Sequence, residues 1–142
     1  MTVAAILQNK GHEVVHVTSS ESLLSVVKLI AERRIGCVPV VDDGEVVGIF
    51  SERDLLYHVA QDGPSALERT VGEVMTTPAI TIALDTPIMH SLSLMTKRRI
   101  RHLPILTDGA LVGLVSIGDL VKYRIDRIES EAAALRDYIQ SA

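Results

Sequence analysis

Aromatic carbon is scarce in this chain: 3% of its 142 residues, with one phenylalanine and no tryptophan. Any core must therefore be built from Val, Ile, Leu, Ala and Met, which is feasible because apolar residues reach 47%. A single cysteine, Cys37, excludes an intrachain disulfide and reads as a small core residue in an apolar run. No apolar stretch approaches the ~18 residues of a membrane span. Excess positive charge is missing too: the net charge is −4, so no global field favours nucleic acid. Met1–Leu7 has no cationic start leading into an apolar stretch, which argues against a secretory signal. The phosphate-loop, dinucleotide and nucleophile-elbow motifs are absent, and no metal site is expected at the five histidines. The expectation is a cytoplasmic protein of one domain's size, with no membrane or nucleic-acid partner.

What the chain does contain is a duplication. Val14–Leu56 and Ala79–Val121 align without a gap at an offset of 65, and 12 of the 43 pairs are identical. They include Arg33/Arg98, Arg34/Arg99, Ile35/Ile100, Pro39/Pro104, Asp43/Asp108, Gly44/Gly109, Val47/Val112, Gly48/Gly113, Ser51/Ser116 and Asp54/Asp119. An internal repeat decides the fold before any local signal does. Two related half-units normally pack about a pseudo-twofold axis, and the cleft between them is a natural place for a ligand.

Each repeat reads strand, helix, strand, strand, helix. In the first, Val14–Val17 is a short β-rich run and Ser19 and Ser20 offer N-caps. A helix follows over Glu21–Arg34, with Leu23, Val26, Val27 and Ile30 at helical spacing. Arg33 and Arg34 fall in its last turn, where cations suit the helix dipole, and Gly36 is placed to stop it. Cys37–Val41 reads as a buried strand, Asp42-Asp43-Gly44-Glu45 as a hairpin turn and Val46–Phe50 as the partner strand. Ser51 opens a helix to about Ala60. In the second repeat Asp85 reads as an N-cap with Pro87 just inside the helix, which runs to about Arg99. His102–Leu106 and Leu111–Val115 pair across Asp108-Gly109, and Ser116 starts the last helix.

Gln61–Ser65 reads as a linker. Thr2–Leu7 echoes Thr70–Met75 at an offset of 68, so the first repeat carries three extra residues within Gln8–Glu13. Lys10-Gly11-His12 lies in that insertion and reads as a plain turn or as a phosphate-facing loop. The units are thus residues 1–60 and 70–124, joined by 61–69 and followed by a helical extension, 125–142. In the last helix Val121, Ile125, Ile128, Ala132, Leu135 and Ile139 fall at spacings of four and three. That is a heptad seam, which prefers a partner helix. The seam either packs back on its own domain or covers a second copy; self-association is preferred because little else in so short a chain would cover it.

The strongest chemical motif is the strand-to-helix junction Gly48-Ile49-Phe50-Ser51-Glu52-Arg53-Asp54, repeated as Gly113-Leu114-Val115-Ser116-Ile117-Gly118-Asp119. Each Ser stands at a helix start, where backbone N–H groups and the dipole favour phosphate. Each Asp lies three residues on, on the same side, and a carboxylate can accept both hydroxyls of a ribose. The alternative is a plain N-terminal capping pair. For one copy the cap is the simpler account; two copies in register weigh against it. Next to the second junction, Arg99, Arg101 and His102 concentrate donors suited to phosphate. Their first-repeat counterparts include Gly36 and Cys37 in place of Arg101 and His102, while Arg53 stands where the second repeat has Gly118. The two sites should be unequal. For any single one of these arginines, a solvated helix-end charge is the plainer account.

Two β-α-β-β-α units, each with an apolar-Pro-apolar strand, an Asp-Gly turn and G-x-x-[ST]-x-x-D, resemble tandem CBS domains, the Bateman module. The resemblance covers about residues 1–124. It implies an α/β (α+β) fold of two CBS repeats packed with pseudo-twofold symmetry, plus the extended C-terminal helix, and often a disk-shaped homodimer. It implies regulatory binding of an adenosyl nucleotide such as AMP, ADP, ATP, NAD(H) or S-adenosylmethionine, with no cofactor required. By resemblance Asp54 and Asp119 would hold ribose, and Ser51 and Ser116 phosphate. Val17, Val38, Ile82 and Leu103 would line adenine pockets, with Pro39, Thr81 and Pro104 beside them, and Arg101 and His102 would contact phosphate. With no effector domain in the chain, output would pass in trans to a protein partner. The alternatives are a constitutive dimerisation scaffold with vestigial pockets and, less favoured, an enzyme acting on nucleotides, for which no nucleophile–base pair or catalytic residue is identified.

Overall fold

The computed structural model describes residues 1–141. Among the described residues there are six helices, α1 Val3–Lys10, α2 Leu23–Arg33, α3 Glu52–Asp62, α4 Val71–Val74, α5 Ile88–Arg98 and α6 Ile117–Ser141, with a 3₁₀ turn at Gly63–Glu68. Four strands, β1 Cys37–Asp42, β2 Glu45–Ser51, β3 His102–Thr107 and β4 Ala110–Ser116, form two antiparallel hairpins. The duplication extends to register. Cys37 faces Ser51 as His102 faces Ser116, and each ladder slips at the same place, between Val40 and Val41 and between Ile105 and Leu106. Both turns place Asp and then Gly at positive φ, 50° and 78° in one and 50° and 80° in the other, as a two-residue hairpin loop demands.

Several local expectations are corrected. The Val14–Val17 strand shrinks to one parallel bridge, Val17 with Val40, matched by Ile82 with Ile105. The chain leaves the sheet there because the Thr18 N–H donates to Glu21 at 2.7 Å and the Ser19 N–H donates to Asp42 at 2.9 Å. Ser19 is thereby spent on Asp42, and the cap of α2 is Ser22, whose hydroxyl accepts the Ser25 N–H at 3.1 Å. Gly36 does not stop α2. Arg34 does, in the left-handed conformation (φ 54°), and Arg99 ends α5 in the same way. Asp85 does not cap α5; Pro87 is the N-cap residue, and the Ile88 N–H donates to the Met1 carbonyl at 3.1 Å. The expected linker at Gln61–Ser65 is not open chain, because α3 continues to Asp62 and the 3₁₀ turn follows.

Packing exchanges the heads of the repeats. One core holds Val17, Leu23, Val26, Val38, Val40 and Phe50 together with Val71 and Val74 of α4. The other holds Ile88, Met95, Leu103, Ile105, Val115 and Leu120 together with Val3, Ile6 and Leu7 of α1. Backbone bonds fix the exchange: Leu23 N–H donates to Arg69, and Ile88 N–H to Met1. Residues adjacent in sequence as 1–60 are therefore split in space. Close backbone approach makes this possible. A Cβ on Gly113 would sit 2.6 Å from Leu7 Cδ1, and one on Gly48 would sit 2.8 Å from the Thr76 carbonyl oxygen. No helix among the described residues is long and apolar enough to cross a membrane.

Candidate functional site

A cleft of about 370 Å³ opens between the two halves, within the ~300–1,000 Å³ usual for small-molecule sites. The first half contributes Gly36, Cys37, Ile49 and the start of α3, Ser51–Asp54. Thr76, Pro78 and Ile80, which follow α4, form one wall. Ile100, Arg101, His102, Ser116 and Ile117 close it from the second half. The lining is thus a set of isoleucines with one carboxylate edge and a basic corner.

Of the residues singled out from the sequence, Ser51, Arg53, Asp54, Arg101, His102 and Ser116 line this cleft. Val17 and Val38 lie in the first core and Ile82 and Leu103 in the second, all with buried side chains. Pro39 and Pro104 are buried in their strands, and Thr81 is half-buried beside the second hairpin. Arg99 is exposed and ends α5, and its carbonyl accepts the Arg53 guanidinium at 2.6 Å, tying the halves together. Asp119 is met outside the lining, in an ion pair with Lys10 at 2.6 Å. Ile49, Ile80, Ile100 and Ile117, which also line it, were not singled out beforehand. Only position relative to the repeat could have flagged them, since an isolated isoleucine carries no chemical signature.

Each Ser/Asp pair forms a reciprocal cap. The Ser51 N–H donates to Asp54 Oδ2 at 3.0 Å and the Asp54 N–H donates to Ser51 Oγ at 3.4 Å. At α6 the Ser116 N–H donates to Asp119 Oδ2 at 2.8 Å and the Asp119 N–H to Ser116 Oγ at 3.1 Å. The Glu52 and Ile117 N–H groups are also engaged, by the Gly36 and Arg101 carbonyls. Much of the donor capacity of both helix starts is therefore spent internally, and anion-binding strength in the cleft rests on side chains. Asp54 keeps acceptor capacity: Oδ1 takes only the Thr76 hydroxyl, at 2.9 Å, among its described partners.

Charge and burial act on three groups. His102 is half-buried, and burial, with Lys10 and Arg101 adding to it, lowers its pKa from 6.5 against the pull of Asp119 and Glu52. A Cβ on Gly36 would stand 3.2 Å from His102 Cε1, so the imidazole lies over a residue without a side chain. Burial pushes the Cys37 thiol up to about 12, Lys10 opposing and Glu52 and Asp54 adding. For Asp119, burial alone would raise the pKa, but the Lys10 ammonium and the Ser116 donors outweigh it and leave the carboxyl below its ordinary value. His12 and His16 are four residues apart, yet the segment is not helical, and their rings bond separately to the Val112 and Val14 carbonyls. Among the described residues no group of three His, Cys, Asp or Glu is gathered as a metal site would need.

Comparison with known proteins agrees with this architecture. The family model for the CBS domain matches residues 7–61 and again 71–126. A mitochondrial CBS domain-containing protein of Arabidopsis thaliana, CBSX3, is 32% identical over 98% of this chain and 72% of its own length. A putative signal-transduction protein with CBS domains from Burkholderia ambifaria superposes with a TM-score of 0.84 at 38% identity, over 89% of this chain and 95% of its own. The CBS domain pair of protein MJ0100, solved with 5′-methylthioadenosine and S-adenosylmethionine, superposes at 0.79 with 27% identity, over 89% of this chain and 98% of its own.

Proposed function

The chain belongs to the CBS-domain family, as two tandem CBS domains, and on that premise we propose that it is a regulatory module which binds an adenosyl ligand between its repeats. The observation that carries the proposal is the cleft itself. Asp54 stands at its edge with free acceptor capacity, isoleucines offer apolar walls for a base, and Arg53, Arg101 and His102 gather donors for an anionic tail. A related pair solved with two adenosyl ligands supports the ligand class. AMP, ADP, ATP, NAD(H) and S-adenosylmethionine are the members to test. Ligand would signal only by binding one relative packing of the halves better than another, and the output would pass in trans to a protein partner. The role proposed is binding, not catalysis.

The proposed assembly is a homodimer. Helix α6 is 25 residues long, about 37 Å at ~1.5 Å per residue, and Ile125, Ile128, Leu135 and Ile139 along it are all exposed. Burying that seam against a second copy would give it the partner that its heptad spacing asks for.

One observation favours a second reading. Both aspartates already serve as helix caps, so a scaffold with vestigial pockets would retain them for stability alone. A thermal-shift panel with the named adenosyl ligands separates the two. A ligand at 100 times its Kd adds ~2.7 kcal/mol to stability. A clear rise in Tm with one ligand, lost in Asp54→Ala, supports the sensor. No rise with any, with Asp54→Ala costing only a cap-like ~1 kcal/mol, supports the scaffold.

A further inference from the structure

Helix α6 leaves its own body early. Leu120 is buried and Tyr123 half-buried, but every residue from Arg124 to Ser141 is exposed. The large apolar residues of its seam, Val121, Ile125, Ile128, Leu135 and Ile139, are between 42% and 64% exposed. At ~3.6 residues per turn the seam lies about a third of a turn from the side marked by Leu120 and Tyr123. A second helix can therefore lie along it without meeting the body that carries it.

An apolar seam says that two copies can meet, but not in which direction. The charges that flank it do that. The spacings place Val121, Ile128 and Leu135 at d positions and Ile125, Ala132 and Ile139 at a positions. The flanking e positions are then Lys122, Glu129 and Arg136, and the g positions Arg124, Glu131 and Tyr138. All six are exposed. The ion pair already present on this helix, Arg127 Nε to Glu131 Oε1 at 3.3 Å, engages one oxygen of Glu131 and joins two exposed side chains.

Two directions are open to a second copy, and they differ in sign. In a parallel, in-register pair each g residue faces the e residue five positions on in the other strand. Arg124 then meets the partner's Glu129, and Glu131 meets the partner's Arg136. Twofold symmetry makes each contact twice, and all are attractive. In an antiparallel pair with the whole seam overlapped, e faces e and g faces g. Glu129 then meets the partner's Glu129, Glu131 the partner's Glu131, and Lys122 the partner's Arg136, all repulsive. A slip of one heptad relieves these contacts but leaves Leu135 and Ile139, or Val121 and Ile125, outside the seam. Exposed ion pairs add little affinity, but a like-charge clash in the alternative is what gives a pairing its specificity.

We propose that α6 pairs with α6 of a second copy in parallel and in register, its direction set by contacts of Arg124 with the partner's Glu129 and of Glu131 with the partner's Arg136. This rests on the homodimer proposed above and specifies the surface and direction of its contact. Parallel pairing carries the two bodies to opposite sides of the coil and to the same end of it. Because Ser116 and Ile117, at the start of α6, line the cleft, both clefts of the dimer adjoin that end.

Disulfide trapping in the full chain tests the direction. In the parallel pair residue 135 faces itself across the seam. In the antiparallel pair it faces residue 125 and lies ten residues, ~15 Å, along the axis from its own copy, beyond the ~4.4–6.8 Å Cα separation that a disulfide spans. Leu135→Cys should therefore oxidise to a covalent dimer, which the natural protein, with its buried Cys37, should not. In sedimentation equilibrium Arg124→Glu should weaken the dimer roughly tenfold, and adding Glu129→Arg in the same chain should restore it. If a mixture of Ile125→Cys and Leu135→Cys proteins crosslinks while neither does alone, the strands run antiparallel: the inference is refuted and the dimer stands. A dimer that forms neither crosslink, or whose affinity Arg124→Glu leaves unchanged, refutes it as well. If the natural protein sediments as a monomer at every concentration, the homodimer fails and this inference falls with it.

Discussion

The exchange of heads makes a prediction that contiguous packing would not. Leu7 is 1% exposed and presses on Gly113, 106 residues away, where an added Cβ would lie 2.6 Å from Leu7 Cδ1 and 2.9 Å from Cδ2. Gly113 is not among the glycines at positive φ, so alanine there meets a steric penalty and no backbone strain. Leu7→Ala cuts a buried isobutyl side chain back to a methyl group and should cost ~2–5 kcal/mol. Gly113→Ala overpacks the same contact and should cost ~1–3 kcal/mol. In the double variant the new methyl group enters the space that Leu7 vacated, so the penalty of the second change should largely vanish. The expected coupling is ~1–3 kcal/mol, within the range for residues in contact. Urea unfolding of the four proteins, with m unchanged across the set, measures it. Additivity within ~0.5 kcal/mol would mean that α1 does not lie on β4 and that the first repeat keeps its own head.

Further outcomes follow from the cleft and the tail. Cys37 is 2% exposed with its thiol held up to about 12, so iodoacetamide at pH 8 should leave it unmodified in the native protein and alkylate it in urea; rapid native reaction would contradict the burial. His102 has a folded-state pKa below 6.5, so the unfolded chain takes up its proton first as pH falls. Its contribution is therefore complete above pH 6.5 and is lost as pH drops from there through the folded value; urea midpoints from pH 7.5 to 5 should decline, and His102→Gln should flatten that decline, whereas an unchanged slope would assign it elsewhere. Ile128→Glu, on the exposed α6 seam, should lower the molecular mass seen by light scattering, and an unchanged mass would remove the tail from the dimer contact.

How much of this was legible depended on whether the signal was local. The hairpins were, because Asp-Gly between two apolar runs has few other solutions, and the structure puts both pairs at positive φ. The helix ends were less so. Gly36 looked like the stop, yet Arg34 takes the left-handed turn, which leaves Gly36 to lie under His102. Hydrophobic periodicity marks Val3, Ile6 and Leu7 as core residues without naming the core, so the exchange with Val71 and Val74 could not be read from it. The cleft's polar residues Ser51, Asp54, Arg101 and His102 were found by chemistry, while its apolar walls, Ile49, Ile80, Ile100 and Ile117, were not, since isoleucine is as common in a core as in a pocket.

Lys10 shows why an internal repeat is better evidence for fold than for function. The Ser/Asp capping geometry is reproduced in both halves, down to which N–H each oxygen accepts. By that standard Asp54 and Asp119 are one site written twice. They differ in their remaining partner, a threonine hydroxyl in one and a lysine ammonium in the other. That partner comes from the head segment, the part of the repeat where the offset changes from 65 to 68. A neutral donor leaves a carboxylate its charge, and an ammonium at 2.6 Å cancels it. Three added residues are thus enough to give the two aspartates of a duplicated motif different electrostatic surroundings, with every residue of the motif itself retained.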